Sequence, residues 1–225
     1  GIPVEPRGTP FVYDAATGEL LRTFPNPNPI FENAGFGNAL AVVGGDVLIG
    51  GSYGTIFTPQ LEVVYRYALA TGTLVQTYAD PAGPGGHGFG ASLAVIGDHL
   101  VIGSPIYRRT LDEIPFGRAY TLDVATGALE QILENPEPER SQQFGAALAA
   151  VGARVLIGAP NQFSFGERAA HLVDPVTGTV ARTFRPPLPT GHDAFGITLA
   201  AIGPDVVIGS PTIFGADASA VHLFD

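Results

Sequence analysis

Four times along this chain the same signal returns: Phe-Gly, then Leu-Ala, then an aliphatic run ending in Ile-Gly. The copies are Phe36-Gly37…Leu40-Ala41…Leu48-Ile49-Gly50, Phe89-Gly90…Leu93-Ala94…Val101-Ile102-Gly103, Phe144-Gly145…Leu148-Ala149…Leu156-Ile157-Gly158 and Phe195-Gly196…Leu199-Ala200…Val207-Ile208-Gly209. The phenylalanines are 53, 55 and 51 residues apart. A Thr-Gly marker at Gly18, Gly72, Gly127 and Gly178 keeps nearly the same step. A period this long, filled with strand-forming residues, predicts a propeller or an array of sheets, because each unit must bury its apolar face on the next.

Each repeat divides into four short strands. Strand A carries Phe-Gly and splits by parity, with Phe36, Asn38, Leu40 and Val42 on one face and Gly37, Ala39, Ala41 and Val43 on the other. Small residues on one side predict a crowded place near the middle of the assembly. Strand B is an aliphatic run, as in Leu100-Val101-Ile102, which predicts burial on both faces. The A–B links, such as Gly97-Asp98, predict tight hairpins. Strand C holds Tyr65, Tyr120, His171 and His222 in one aromatic slot. It leaves through Asp-x-x-Thr-Gly in three copies, at Asp14, Asp123 and Asp174; the copy at Ala68 lacks the Asp. Strand D, with its Thr, Arg and Gln, predicts an exposed outer edge. This arrangement puts the short A–B and C–D turns on one end. The variable, proline-rich B–C and D–A loops share the other end, where binding residues are expected.

Composition narrows the function. Charged residues are 14% of the chain, and 30 glycines and 20 prolines interrupt the apolar stretches. The longest such stretch, Ala39 to Gly51, contains Asp46 and four glycines, so no membrane helix is predicted. The net charge is −10 and every basic residue is arginine. An acidic chain lacks the basic face that a nucleic-acid backbone requires. Without lysine there is no Schiff-base or P-loop chemistry. Without cysteine there is no disulfide, zinc–thiolate site or thiol nucleophile. Gly1, in place of a methionine, predicts a processed start or a longer parent chain.

The residues resemble the bacterial FG-GAP repeats, relatives of the β-propeller at the head of integrin α chains. Gly158-Ala159-Pro160 matches the second half of that motif, Gly103-Ser104-Pro105 and Gly209-Ser210-Pro211 nearly match, and Gly50-Gly51-Ser52 departs. The resemblance covers nearly all of the chain. It implies an extracellular or cell-surface β-propeller that binds a protein or glycan, usually without catalysis. Many members carry a calcium loop, Asp-x-Asp-x-Asp-Gly, between strands A and B. Here those turns hold only Asp46, Asp98 or Asp205, too few oxygens for calcium, so no cofactor is expected.

Several motifs imitate chemistry. Gly50-Gly51-Ser52-Tyr53-Gly54 fits the nucleophile elbow, but no helix pattern follows it, and the segment coincides with the repeat's Gly-Ala-Pro region. Gly83 to Gly88 fits a dinucleotide fingerprint but precedes a strand and contains Pro84. His87 and His192 both lie in D–A loops; with Asp193 or Glu32 they form the candidate metal set. Glu134, Glu137 and Glu139 make a proline-spaced acidic loop. Arg108, Arg109, Asp112, Glu113 and Glu137 are the candidate partner-binding residues, and no catalytic residue is assigned.

The expected fold is therefore an all-β propeller of four-stranded antiparallel blades, with about four repeats of 51–55 residues in a single domain, 1–225. The units run roughly 11–62, 63–118, 119–168 and 169–219, with a final strand at 220–225. The strand count is uneven, with four A, four B and four D strands but five C strands. Closure of the last A-B-C onto the first D leaves one C strand spare. That strand lies outside a four-bladed ring, belongs to a larger propeller, or is donated to a neighbouring copy in an oligomer or head-to-tail polymer. The function expected first is a non-enzymatic extracellular binding or structural module. The alternatives are a self-assembling subunit of a filament or surface layer, and a glycan-active enzyme on the variable-loop end.

Overall fold

Two-residue turns led by glycine create the first hairpin of every repeat. Gly44, Gly97, Gly152 and Gly203 have φ between 57° and 63°, the left-handed region that the first position of such a turn demands. The computed structural model describes residues 9–27, 35–52, 62–85, 87–108, 116–137, 143–161, 167–187, 193–212 and 219–225. Among them every regular element is a β-strand, and no helix is long and apolar enough to cross a membrane.

β1 (Phe11–Tyr13) and β2 (Leu20–Thr23) form a two-stranded sheet. β3 (Gly35–Val43), β4 (Asp46–Ser52), β5 (Val63–Ala68) and β6 (Leu74–Ala79) form the first four-stranded sheet. The second contains β7 (Ser92–Ile96), β8 (His99–Ser104), β9 (Arg118–Asp123) and β10 (Leu129–Glu134). The third contains β11 (Leu148–Val151), β12 (Arg154–Ala159), β13 (Ala169–Val173) and β14 (Val180–Phe184). β15 (Thr198–Ile202), β16 (Asp205–Ser210) and β17 (Ala220–Phe224) make a three-stranded sheet. Among the described residues all pairings between strands are antiparallel and join sequence neighbours, so the A-B-C-D order and the surplus C strand stand as expected.

The sheets stack face to face with an apolar core in each gap. Phe24 and Val12 meet Phe36, Ile49, Tyr65 and Tyr67 in the first gap. Leu48, Val64 and Tyr78 meet Phe89, Ile102 and Tyr120 in the second. Val101, Ala119 and Leu133 meet Phe144, Ile157 and Val173 in the third, and Leu156, Ala170 and Phe184 meet Phe195 and Ile208 in the fourth. Strand B is buried on both faces in the second and third sheets, where Leu100, Val101, Ile102, Val155, Leu156 and Ile157 are all inaccessible. The A strands β3, β7, β11 and β15 run next to one another along one edge of the stack.

The repeat motif is the joint between sheets. Gly37, Gly90, Gly145 and Gly196 have φ of 88–94°, which bends the chain sharply after each phenylalanine. In three copies this bend precedes strand A, which starts only at Ser92, Leu148 or Thr198. The Phe-Gly pair expected inside strand A therefore lies mostly before it. The bends at Gly90, Gly145 and Gly196 each carry a carbonyl onto the Ile-Gly glycine of the preceding repeat. A Cβ on Gly50, Gly103 or Gly158 would overlap the oxygen of Gly90, Gly145 or Gly196 respectively.

The C–D turns are capped as the Asp-x-x-Thr-Gly pattern predicts. Asp14 Oδ1 accepts the N–H groups of Ala16 and Thr17, and Asp174 Oδ1 accepts those of Val176 and Thr177. These bonds hold the Asp14 and Asp174 carboxyls below the ordinary value, and the Thr126 hydroxyl and N–H, both donating to Asp123 Oδ1, do the same at Asp123. Where Ala68 replaces the Asp, the turn keeps its backbone bond from Gly72 N–H to Ala68 O, 2.7 Å.

One expectation needs correction: the sheets do not close into a propeller ring. β2 pairs with β1, and β17 pairs with β16; the lock between the last A-B-C and the first D is not formed. The chain is an open row of three four-stranded sheets between a two-stranded and a three-stranded one. The open first end is visible on β3. Leu40 and Val42 of β3 face the two-stranded sheet, which has no A or B strand to cover them, and they are 57% and 65% exposed.

His171 occupies the aromatic slot of strand C and is buried beside Phe144 at 5.8 Å, with Nδ1 3.1 Å from Thr183 Oγ1. Burial lowers its pKa from 6.5 to about 4. The unfolded chain therefore binds the extra proton between pH 6.5 and 4, and stability falls as the pH drops through that window. The linkage is worth roughly 3 kcal/mol when complete. His171→Phe, which copies the aromatic side chains of the other repeats, should remove this part of the acid sensitivity. Urea midpoints at pH 7.5 and pH 4 for both proteins check it. An equal pH dependence in the two would refute the assignment.

Candidate functional site

Among the described residues, one group of three His, Asp or Glu side chains has its ligating atoms within 4.8 Å of one another: Glu62, Asp80 and His87. The β5–β6 hairpin brings the first two together. Glu62 directly precedes β5 and Asp80 directly follows β6, and Asp80 N–H reaches Glu62 O at 3.3 Å. His87 arrives on the D–A loop, two residues before Phe89. The cluster therefore bridges the first and second four-stranded sheets.

Every carboxylate oxygen in it has a donor. Glu62 Oε2 accepts the N–H groups of His87 (2.9 Å) and Phe89 (3.1 Å), and Oε1 accepts that of Gly88 (2.8 Å). Asp80 Oδ1 accepts Ala82 N–H at 2.8 Å, and Asp80 Oδ2 lies 2.9 Å from His87 Nδ1. The imidazole packs on Tyr107 at 5.0 Å, and the Arg118 guanidinium lies 3.9 Å from the centre of that ring. The carbonyl of His87 accepts Ser104 Oγ–H at 3.0 Å and Ile106 N–H at 2.8 Å. Glu62 is 4% exposed. Burial pushes its carboxyl above the ordinary value, the three N–H bonds pull it back, and the Asp80 charge adds to the rise.

Two oxygens and a nitrogen suit a divalent cation. The chemistry of the donors argues for another role, because the Glu62 carboxylate already closes a loop of backbone N–H groups. Repeat equivalence supports that role. Glu62, Gly117 and Arg168 occupy the same position, just before strand C. In the next gap Gly117 bridges to Phe144, whose N–H reaches Phe116 O at 3.1 Å. In the one after, Arg168 Nε lies 3.8 Å from Asp193 Oδ1, and Asp193 Oδ1 also accepts Phe195 N–H at 3.2 Å. Three different chemistries thus tie the start of strand C to the Phe-Gly bend of the following repeat.

The structure separates the candidate metal set. His87 stands at the joint between the first and second full sheets, whereas Asp193 is buried at the joint between the third and the last. His192 and Glu32 lie outside the described residues, as do Arg109, Asp112 and Glu113. Arg108 is half-buried. Glu137 takes Arg185 Nη2 on both oxygens, at 2.6 and 2.7 Å, while Arg185 Nη1 reaches Glu167 at 2.5 Å. This network joins loops of neighbouring repeats at the variable end; its members are largely exposed, so it adds little to stability. Ser52 is the last residue of β4, and Asp46 is paired with Arg66 Nε at 2.6 Å. Sequence reasoning did not single out Glu62 or Asp80. The available signal was the change from Glu to Gly to Arg at one repeat position. No protein-family model matches this chain, and a search of curated proteins finds no match.

Proposed function

We propose that this chain is a non-enzymatic, extracellular scaffold built from an open row of stacked antiparallel sheets, in keeping with the blade-like repeats of its FG-GAP resemblance. Its stacked blades carry variable loops at one end for a protein or glycan ligand. The observation that supports this most is where the buried charge goes. The Glu62–Asp80–His87 and Arg168–Asp193 groups hold joints between repeats: Glu62 takes the N–H groups of His87, Gly88 and Phe89, and Asp193 takes that of Phe195. A catalytic site instead needs a group aimed at a substrate position. The exposed Glu137–Arg185–Glu167 network offers charged hydrogen-bonding groups at the variable end.

The test is a glycan and extracellular-protein binding panel run beside a glycosidase substrate panel. Saturable binding that weakens about tenfold or more in Glu137→Ala and Arg185→Ala, with no turnover, is the expected result. Turnover that disappears in Arg108→Ala or Glu137→Ala would establish an enzyme instead.

A second reading, a self-assembling building block, draws on a separate observation: the apolar faces left uncovered at both ends of the row.

A further inference from the structure

The last sheet and the first full sheet each expose a face whose counterparts the other full sheets bury. On the last sheet, the cross-strand pairs Val207–Leu223 and Gly209–Val221 point away from the fourth core. Val221 is 73% exposed and Leu223 is 66% exposed. The counterparts of Val221 in the other repeats, Val64, Ala119 and Ala170, are all completely buried. So are the counterparts of Val207, namely Leu48, Val101 and Leu156. At the opposite end, Leu40 and Val42 are exposed on the side of β3 that a preceding A–B hairpin would cover.

We propose that a second copy of this chain covers these faces head to tail. The β15–β17 sheet of one copy seats on the uncovered part of the β3–β6 sheet of the other, beside β1–β2. This repeats a contact that the chain makes internally in every gap, with the same residue types in the same slots. Thr198, Ala200 and Ile202 stand where Ala39, Ala41 and Val43 stand in the gap between the first two full sheets. The three-stranded sheet lacks a D strand and the two-stranded sheet lacks A and B, so together they make one composite blade with one C strand to spare. Within one copy the two faces lie at opposite ends of the row, with three full sheets between them. Two copies joined at both ends give a ring of about eight blades, inside the 4–8 range of such rings. The proposal rests on the building-block reading and is independent of ligand binding.

Light scattering over a hundredfold concentration range should give at least twice the 23.3 kDa of one chain. Val42→Glu blocks one face and Leu223→Glu the other. Both positions are solvent-exposed, so each variant should fold, which circular dichroism checks; Leu40→Gln and Val221→Thr serve if either unfolds. Each variant alone should run as a single copy. An equal mixture should form one-to-one pairs, because each keeps the face the other has lost. A single-copy wild type, an unchanged mass in either variant, or a mixture that stays dispersed would overturn the proposal. Dispersed copies that still bind a ligand would leave the scaffold reading standing, whereas turnover by an assembled form would defeat that reading alone.

Discussion

Gly158→Ala should cost about 3 kcal/mol or more of folding stability, a large effect for one methyl group. The new Cβ would overlap the carbonyl oxygen of Gly196, which belongs to the next repeat. That oxygen has little room to retreat. Gly196 N–H donates to Gly209 O at 3.0 Å, and its φ of 93° fixes the bend that carries the carbonyl. Ile157 and Phe195, on either side of the contact, are both completely buried, so the sheets must part to admit the methyl group. Gly103→Ala should behave alike, because it meets both Gly145 O and the Ser92 hydroxyl. Gly45→Ala is the control: it lies in an A–B turn with open space around it and no left-handed φ, so its cost should be within about 0.5 kcal/mol. Urea midpoints for the three variants measure the difference. A Gly158→Ala protein as stable as Gly45→Ala would show that the Ile-Gly position is not a close approach.

Glu62→Ala is the second large effect. It strands the N–H groups of His87, Gly88 and Phe89 in a protein-lined site, and each buried orphan donor costs about 1–3 kcal/mol. The expected total loss is roughly 3 kcal/mol or more, together with faster amide exchange at residues 87–89. Glu62→Gln should fall between the variant and the parent, because one amide oxygen replaces two carboxylate oxygens and its NH₂ faces a donor. His87→Ala should cost less, since it deletes one side-chain bond and a ring contact and leaves the three-way clasp intact. If Glu62→Ala cost less than His87→Ala, the joint would be centred on the histidine and the account of the cluster would be wrong.

The strands and turns were legible in the sequence because local chemistry specifies them. The glycine-led A–B links, the Asp caps and the period-two faces each act within a few residues. The surplus C strand was legible for the same reason. Ring closure was not, because it depends on whether a face is covered. Val221 and Val64 read alike in the sequence, yet one is exposed and the other buried. The Phe-Gly bend read as strand because its aromatic–small alternation mimics a pleat; the left-handed φ at Gly90, Gly145 and Gly196 ends that pattern. The Glu62 clasp escaped notice because its partners are backbone N–H groups, which no side-chain motif records. His87 drew attention as a candidate ligand, but its ring partners are Asp80, just past the end of β6, and Tyr107, in the segment after β8, 7 and 20 residues away, and not another histidine loop.

The open row with coverable ends makes its most direct claim at Val221. The chain has no cysteine, so a single introduced thiol reports one position cleanly. Val221→Cys and Ala170→Cys place it at equivalent slots, one on the outer face of the last sheet and one inside the fourth core. Labelling rates with a thiol reagent in dilute, single-copy protein should differ by about a hundredfold or more, with position 221 near the rate of an unfolded chain. The rate at 221 should then fall as concentration rises and copies join. Equal protection of both positions in a chain shown to be a single copy would mean that its own other end covers the face, and the open row would be wrong.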